Sequence, residues 1–416
     1  MACFARMKCD KCDAQYEEGS PCACTVCGGS IQIQYDYEAI SKSVSKNGLA
    51  AREAGVWKYA EFLPLPRTAR ITTLGEGGTR LVKSERLGQA VGLKKLFLKD
   101  ETRNPTGSFK DRCSTVSISK ALEAAADGVV IASSGGAAAS ACAYSTVAEI
   151  PCYVFVPPET SVGRLLKIRM FGGRVSKVVG PVENCMLVAE QASRKHGWIN
   201  VTTNSKANPY TIEGTKTAAY EISEALGWRS PDYLALPVGS GACLLGHWRG
   251  FRDLEEMAFV SDMPRLVAVQ AEGCAPLASA MKAGLGPEGV RLWSNPRTIA
   301  SGISDAFPAD VEGAYEAIRH TSGLAETVSD DEIAEAQSLL ARKEGIFAEP
   351  TGAVSIAGAI KLARLRTIDT NDVVVCEITG HGLNDIEPTL SRFTEVSRIQ
   401  PVLEDFERSL MTRRDA

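Results

Sequence analysis

Between residues 96 and 376, short β-branched runs alternate with Ala-rich or amphipathic stretches, and that alternation confines the chain to one architectural class. Leu96 to Asp100, Val129 to Ile131, Tyr153 to Val156, Val175 to Val179, Tyr233 to Leu236, Leu266 to Val269 and Val373 to Val375 read as strands. The segments between them carry helical periodicity, and alternation at this scale predicts α/β units built on a parallel sheet. No repeat of fixed period and no low-complexity tract interrupts it. A chain of 416 residues exceeds one ordinary core, so two or three domains are expected.

Charge excludes several function classes. A formal net charge of −4 gives no footprint of a nucleic-acid binder or of a basic membrane-surface protein. No run of eighteen apolar residues appears, and the first residues lack the apolar core of a signal peptide. A cytoplasmic protein acting on a small molecule is expected, with no nucleic-acid or membrane partner.

The thirteen cysteines divide into two groups. Cys113, Cys142, Cys152, Cys185, Cys243, Cys274 and Cys376 stand singly in apolar or helical contexts and read as small core residues of a reducing compartment. The other six crowd the first 27 residues. Cys9-x-x-Cys12 and Cys24-x-x-Cys27 form two knuckles, the second followed by Gly28-Gly29, with the spacing of a tetrahedral zinc ribbon. Cys22 is an alternative to Cys24 as ligand, and Cys3 reads as a free thiol. A module this poor in apolar residues is expected to need its metal to fold. Four thiolates leave no open coordination site, which makes a bound Zn2+ structural.

Four turns carry the remaining chemistry. Residues 104–112 read Asn-Pro-Thr-Gly-Ser-Phe-Lys-Asp-Arg, after a strand-like run and opening a helix. A lysine in a first helical turn stands against the helix dipole, where acids are preferred, and suits an amine that attacks a carbonyl as a Schiff-base lysine does. The plain alternative is a solvated lysine. Ser108 is expected to cap this helix and Asp111 to complete a capping box. Ala132-Ser-Ser-Gly-Gly-Ala137 follows a strand and offers Ser133, Ser134 and free N–H groups to an anion such as a carboxylate. Pro237-Val-Gly-Ser-Gly-Ala-Cys243 repeats that geometry, with glycines that let backbone amides close around a phosphate. Such loops are also common in α/β folds for steric reasons alone. Glu377-Ile-Thr-Gly-His-Gly382 ends the last clear strand, where the Thr379 hydroxyl can meet a ring nitrogen or simply form a tight turn.

With these turns in this order the chain resembles the fold type II pyridoxal-phosphate enzymes, and within them the threonine synthase family. The matching segments are Gly55-Val-Trp-Lys-Tyr59, Leu74-Gly-Glu-Gly-Gly-Thr79, residues 104–112, Asn208-Pro-Tyr-Thr-Ile-Glu-Gly-Thr-Lys216, Val328-Ser-Asp330, Glu349-Pro350 and residues 379–385. The resemblance implies a tryptophan synthase β-like fold of two α/β domains with parallel-rich sheets and the cofactor in the cleft. Residues 1–36 would form the ribbon, 37–104 and 203–392 the larger domain, 105–202 a smaller mobile one, and 393–416 a final helix and tail. It also implies a Schiff base between Lys110 and pyridoxal 5'-phosphate, with the same amine then shuttling protons. The cofactor phosphate would lie on Gly239, Ser240, Gly241, Ala242 and Cys243, and the ring nitrogen on Thr379. Ser133 and Ser134 would hold the substrate carboxylate. Thr106, Ser108 and Arg112 would face the phosphate of an amino-acid phosphate ester, although Arg112 fits a structural ion pair equally well. A homodimer is the expected assembly.

Three departures fall beside the cofactor or substrate. Gly136 replaces the asparagine of a Ser-Ser-Gly-Asn pattern, Gly-Ser-Gly-Ala-Cys replaces Gly-Asn-Gly-Gly-Asn, and Asn384 replaces the lysine of Gly-Leu-Lys-Asp. The expected reaction is conversion of O-phosphohomoserine and water into threonine and phosphate. The alternative is β-replacement on O-phosphoserine, as in a cysteate synthase using sulfite. A degenerate, purely regulatory body is disfavoured by the retained Lys110, Thr379 and glycine loop.

Overall fold

The computed structural model describes residues 4–17, 23–66, 68–390 and 398–412. Cys3, Cys22 and parts of the C-terminal segment lie outside the described residues. The strands gather into three sheets. The first is small and antiparallel, ordered β2-β1-β3 from Phe4–Cys9 (β1), Gln15–Tyr16 (β2) and Ile31–Tyr35 (β3). The largest combines Leu81–Lys83 (β4), Lys95–Asp100 (β5), Tyr233–Pro237 (β10), Arg265–Ala271 (β11), Leu324–Val328 (β12) and Val373–Ile378 (β13) in the order β12-β11-β10-β13-β5-β4. All its pairings are parallel except the antiparallel edge strand β4. The third is wholly parallel, β8-β7-β6-β9, from Val129–Ala132 (β6), Cys152–Val156 (β7), Arg174–Lys177 (β8) and Ile199–Asn200 (β9).

The parallel strands β10 and β13 are continuously buried, as apolar runs covered on both faces must be. The edge strand β12 alternates partly exposed and buried positions, and its Leu-Ala-Glu-Thr-Val sequence lacks the apolar run that marks its neighbours. Two helices pack closely against each other, Lys110–Glu123 and Tyr210–Ala225. A Cβ at Gly214 would lie 1.8 Å from the Arg112 carbonyl oxygen, so this approach requires glycine.

Several expectations are revised. A polar helical stretch is expected from the sequence around Tyr37 to Ala54; it is two short helices, Tyr37–Ser41 and Lys46–Ala50. The ribbon is not a self-contained module: Met7, Ile31, Ile33 and Tyr35 pack into the same core as Tyr220, Leu236 and Phe251. These four side chains are thus covered by the larger body, whereas Val26 stays exposed. Among the described residues no helix is long and apolar enough to cross a membrane.

Candidate active site

β5 and β13 lie side by side with Asp100 opposite Ile378, so the loops leaving their C-terminal ends emerge together. That is where open α/β sheets place ligands. Backbone bonds stitch the two loops: the Phe109 N–H donates to the Thr379 carbonyl at 3.0 Å, and the His381 N–H to the Gly107 carbonyl at 2.8 Å. Gly107 turns the chain at φ +73° and the helix Lys110–Glu123 begins. The Lys110 Nζ lies 3.4 Å from the Thr203 hydroxyl and 4.5 Å from the Phe109 ring centroid.

The expected capping box at this helix does not form. Ser108 Oγ accepts from the Lys110 N–H at 3.3 Å, but the Asp111 carboxylate reaches past Ser108. It accepts the Thr106 N–H and hydroxyl, each at 2.7 Å, and the Ser140 hydroxyl at 2.6 Å. Burial pushes the Asp111 carboxyl up to about 6 against these bonds. A capping box does form between Ser329 and Glu332, on the helix Asp330–Leu339.

Lys110 opens onto a cleft of about 250 Å³ that Ser108, Ser133, Ser134, Gly136, Ser240 and Thr379 also line. Opposite Lys110, the helix Gly136–Val147 begins with no side-chain cap, leaving its first N–H groups to an anion. Gly136 brings two loops close, since a Cβ there would stand 3.0 Å from Ser108 Oγ. On the other side, the helix Ala242–Glu256 begins at Gly241, again with no side-chain cap. Gly241 has φ +96°, and a Cβ would meet the Asp310 carbonyl at 3.1 Å. Gly239 is as confined, with the Gly302 carbonyl 3.1 Å from its missing Cβ. Thr379 Oγ1 is buried without a hydrogen-bond partner. An amine, a glycine cradle at a helix N-terminus and an orphaned hydroxyl fit the aldehyde, phosphate and ring nitrogen of pyridoxal phosphate.

Two expected substrate ligands are placed elsewhere. Arg112 is fully buried and contributes nothing to the cleft wall. Its guanidinium pairs with Glu101 and with Glu221, each at 2.7 Å, and donates to Thr217 at 2.9 Å. Glu221 also receives Lys99 at 2.5 Å. The two cations hold the Glu221 carboxyl far below its ordinary range despite its burial, and Arg112 likewise holds Glu101 low. The ion-pair alternative is therefore the one realised. Thr106 is buried and donates its hydroxyl to Asp111, away from the cleft.

The cleft contains groups to which the sequence pattern assigned no role. Arg164, in the helix Val162–Met170, lines it and pairs with Asp385 at 2.5 Å while donating to the Ser301 hydroxyl. Lys167, one turn on, reaches the Thr106 carbonyl at 2.6 Å and Asn384 Oδ1 at 2.5 Å. Asn384 in turn donates to the Gly107 carbonyl at 2.8 Å. Glu349 also faces the cleft, and burial pushes its carboxyl up to about 7, with nearby Asp385 adding to the rise. Only the basic content of residues 162–170 hinted at Arg164 and Lys167.

Cys9, Cys12, Cys24 and Cys27 converge with sulfurs close enough to share one ion. Cys9 and Cys27 stand 3.5 Å apart, as do Cys12 and Cys24. The Tyr16 hydroxyl donates to Cys24 Sγ at 3.0 Å and lowers that thiol toward its thiolate. A Cβ at Gly29 would lie 2.9 Å from Cys9 Sγ, which accounts for the glycine after the second knuckle.

Residues 72–380 match the family model described as "Pyridoxal-phosphate dependent enzyme". A threonine synthase of Methanocaldococcus jannaschii is 38% identical, over 94% of this chain and 96% of its own length. One from Methanosarcina acetivorans is 36% identical, over 91% and 92%. Among solved structures, maize serine racemase superposes with a TM-score of 0.63 at 21% identity, over 81% of this chain and 92% of that one. Threonine deaminase isoform 2 from Solanum lycopersicum gives 0.62 at 22%, over 73% and 78%. The chain belongs to the threonine synthase family of pyridoxal-phosphate-dependent enzymes and has the fold type II architecture.

Proposed function

We propose that this enzyme converts O-phosphohomoserine and water into threonine and inorganic phosphate, with Lys110 as its cofactor-bearing base. The observation that carries the reading is the joining of the Lys110 turn to the Thr379 loop, which sets an amine beside an unpartnered hydroxyl and a glycine cradle. Residues 239–243 hold the cofactor phosphate with backbone N–H groups, and Thr379 holds the ring nitrogen. Pyridoxal phosphate held there would supply the electron sink that makes protons at Cα and Cβ removable. Lys110 takes and returns those protons. Ser133, Ser134 and the first N–H groups of Gly136–Val147 bind the substrate carboxylate. Arg164 supplies the cation for the phosphate that departs from Cγ, after which water adds at Cβ. Ser108 lies between these groups and orients the leaving phosphate.

Within residues 105–202, the part that follows the helix Lys110–Glu123 acts as the cap that keeps water out until it is needed. Its outer helix is lightly packed: Val182–His196 buries only Cys185 and Ala189. Zn2+ in the four-cysteine ribbon is structural, supported by the mutual sulfur distances and the glycine that clears them.

The test offers purified, cofactor-loaded protein O-phosphohomoserine or O-phosphoserine, each with and without sulfite, and identifies the amino acid by mass. Threonine with stoichiometric phosphate is expected from O-phosphohomoserine alone. A sulfite-dependent product from O-phosphoserine would instead assign Gly136 and Asn384 to a changed substrate.

A further inference from the structure

Behind the cofactor-holding loop, three side chains converge that the proposed reaction does not use as side chains. Cys243 and His247 lie one turn apart on the helix Ala242–Glu256, and Glu377 is the penultimate residue of β13. All three are buried, His247 and Glu377 completely. Cys243 Sγ lies 3.4 Å from Glu377 Oε2, and His247 Nε2 lies 3.3 Å from the same oxygen. One donor atom from each residue falls within 4.8 Å of the other two. His247 Nδ1 is 3.0 Å from the Cys243 carbonyl oxygen, a contact that requires the proton on Nδ1. Nε2 faces the cluster, 3.3 Å from Glu377 Oε2. Neither His247 Nε2 nor Glu377 Oε1 has a hydrogen-bond partner.

We infer that Cys243, His247 and Glu377 form a second metal site, suited to Zn2+ and distinct from the four-cysteine ribbon. Zinc bonds of about 2.0–2.3 Å in a tetrahedron separate the donors by roughly 3.3–3.8 Å, the spacing that Glu377 Oε2 already has from Cys243 Sγ and from His247 Nε2. Thiolate, imidazole and carboxylate together select zinc over the harder divalent ions. One thiolate and one carboxylate balance the two charges of the ion, so the buried complex is neutral overall and avoids the cost of an unpaired interior charge. Binding displaces the thiol proton, which leaves with solvent. The Nδ1–H bond to a backbone carbonyl fixes the ligating tautomer, the usual outer support of a metal-bound histidine. Cys243 also lines the cavity shared with Lys110 and Thr379, from which a small molecule can take the fourth position. The ion ties the helix that begins at the glycine cradle to the strand that ends just before Thr379, joining the two elements that would grip the cofactor. This inference does not depend on which phosphorylated amino acid is the substrate.

The experiment loads the full-length holoprotein with Zn2+, removes free ion by gel filtration, and measures zinc per chain together with the mean sulfur count per zinc by X-ray absorption. Two zincs per chain averaging about 2.5 sulfurs is the expected result, since four ligands from the ribbon and one from Cys243 are shared between two ions. One zinc with about one sulfur also supports the site. One zinc with about four sulfurs, or none, overturns it and leaves a hydrogen-bonded trio without metal. His247→Gln should then lower zinc by one equivalent, with unchanged far-UV circular dichroism. A folded His247→Gln protein retaining the wild-type zinc content would equally overturn the assignment.

Discussion

The two walls of the cleft are built differently. The wall behind Lys110 and Thr379 is knit by buried charges, with Lys99, Arg112, Glu101 and Glu221 all inside, and its helix Tyr210–Ala225 is buried from Thr211 to Ser223. The wall that presents Ser133 and Ser134 ends in an outer helix, Val182–His196, that buries two residues and carries exposed pairs such as Arg194–Glu190. A buried ion network holds one geometry because every partner is needed to compensate the others. A lightly packed layer opens at low cost. The contrast supports the proposed division of labour, with a preorganised wall behind Lys110 and a closing wall at Ser133 and Ser134.

The largest predicted effect removes one charge from each wall. Glu221→Gln strands Arg112 and Lys99 with too little counter-charge and should cost about 3–5 kcal/mol, read as a fall in the urea midpoint. Glu190→Gln on the outer helix should change stability by no more than about 0.5 kcal/mol. Equal losses from the two substitutions would erase the contrast.

The next concerns Glu349 at the meeting of the walls. Its folded carboxyl sits at about 7 against an ordinary 4.5. The folded protein therefore binds an extra proton between those values. This group's stabilisation is complete below about pH 4.5 and is lost as pH rises through about 7. In the cofactor-free protein, Glu349→Gln should remove a decline of about 3 kcal/mol over that window, measured as the difference between the two stability profiles. Parallel profiles would show that the carboxyl is not held in its neutral form.

The smallest effect separates two glycines. Gly241→Ala places a side chain at φ +96° against the Asp310 carbonyl, costing about 1–2 kcal/mol and weakening cofactor binding by about tenfold. Gly135→Ala meets no atom within 4 Å and should leave cofactor affinity within about twofold. Equal weakening by both, in a fluorescence titration of the cofactor, would mean that the two walls share its grip.

Much of the cofactor side was legible in sequence because its groups sit at strand-to-helix turns, where Gly-Ser-Gly and Thr-Gly-His-Gly are local signals. Lys110 and Thr379 could be singled out because Thr379 directly follows an apolar strand and Lys110 opens the helix after another. The function of Arg112 could not, since its partner Glu221 is 109 residues away and only the packing of two helices joins them. Arg164 was missed for the same reason, and Glu349, read only as part of a matching segment, was given no role: each looks like ordinary surface chemistry until the fold turns it inward. β12 escaped because an edge strand with one exposed face carries no continuous apolar run. The capping box was read at Ser108 because the motif is local, while the Asp111 carboxylate answered to Ser140 on another helix.

The central claim is that Lys110 bears the cofactor at the junction of the two loops. Borohydride reduction of the cofactor-loaded protein, followed by peptide mass mapping, tests it most directly. The account predicts a single pyridoxyl adduct on the peptide containing Lys110, and loss of both adduct and cofactor absorbance in Lys110→Ala. An adduct on a different lysine, or an unchanged absorbance band in Lys110→Ala, would contradict it.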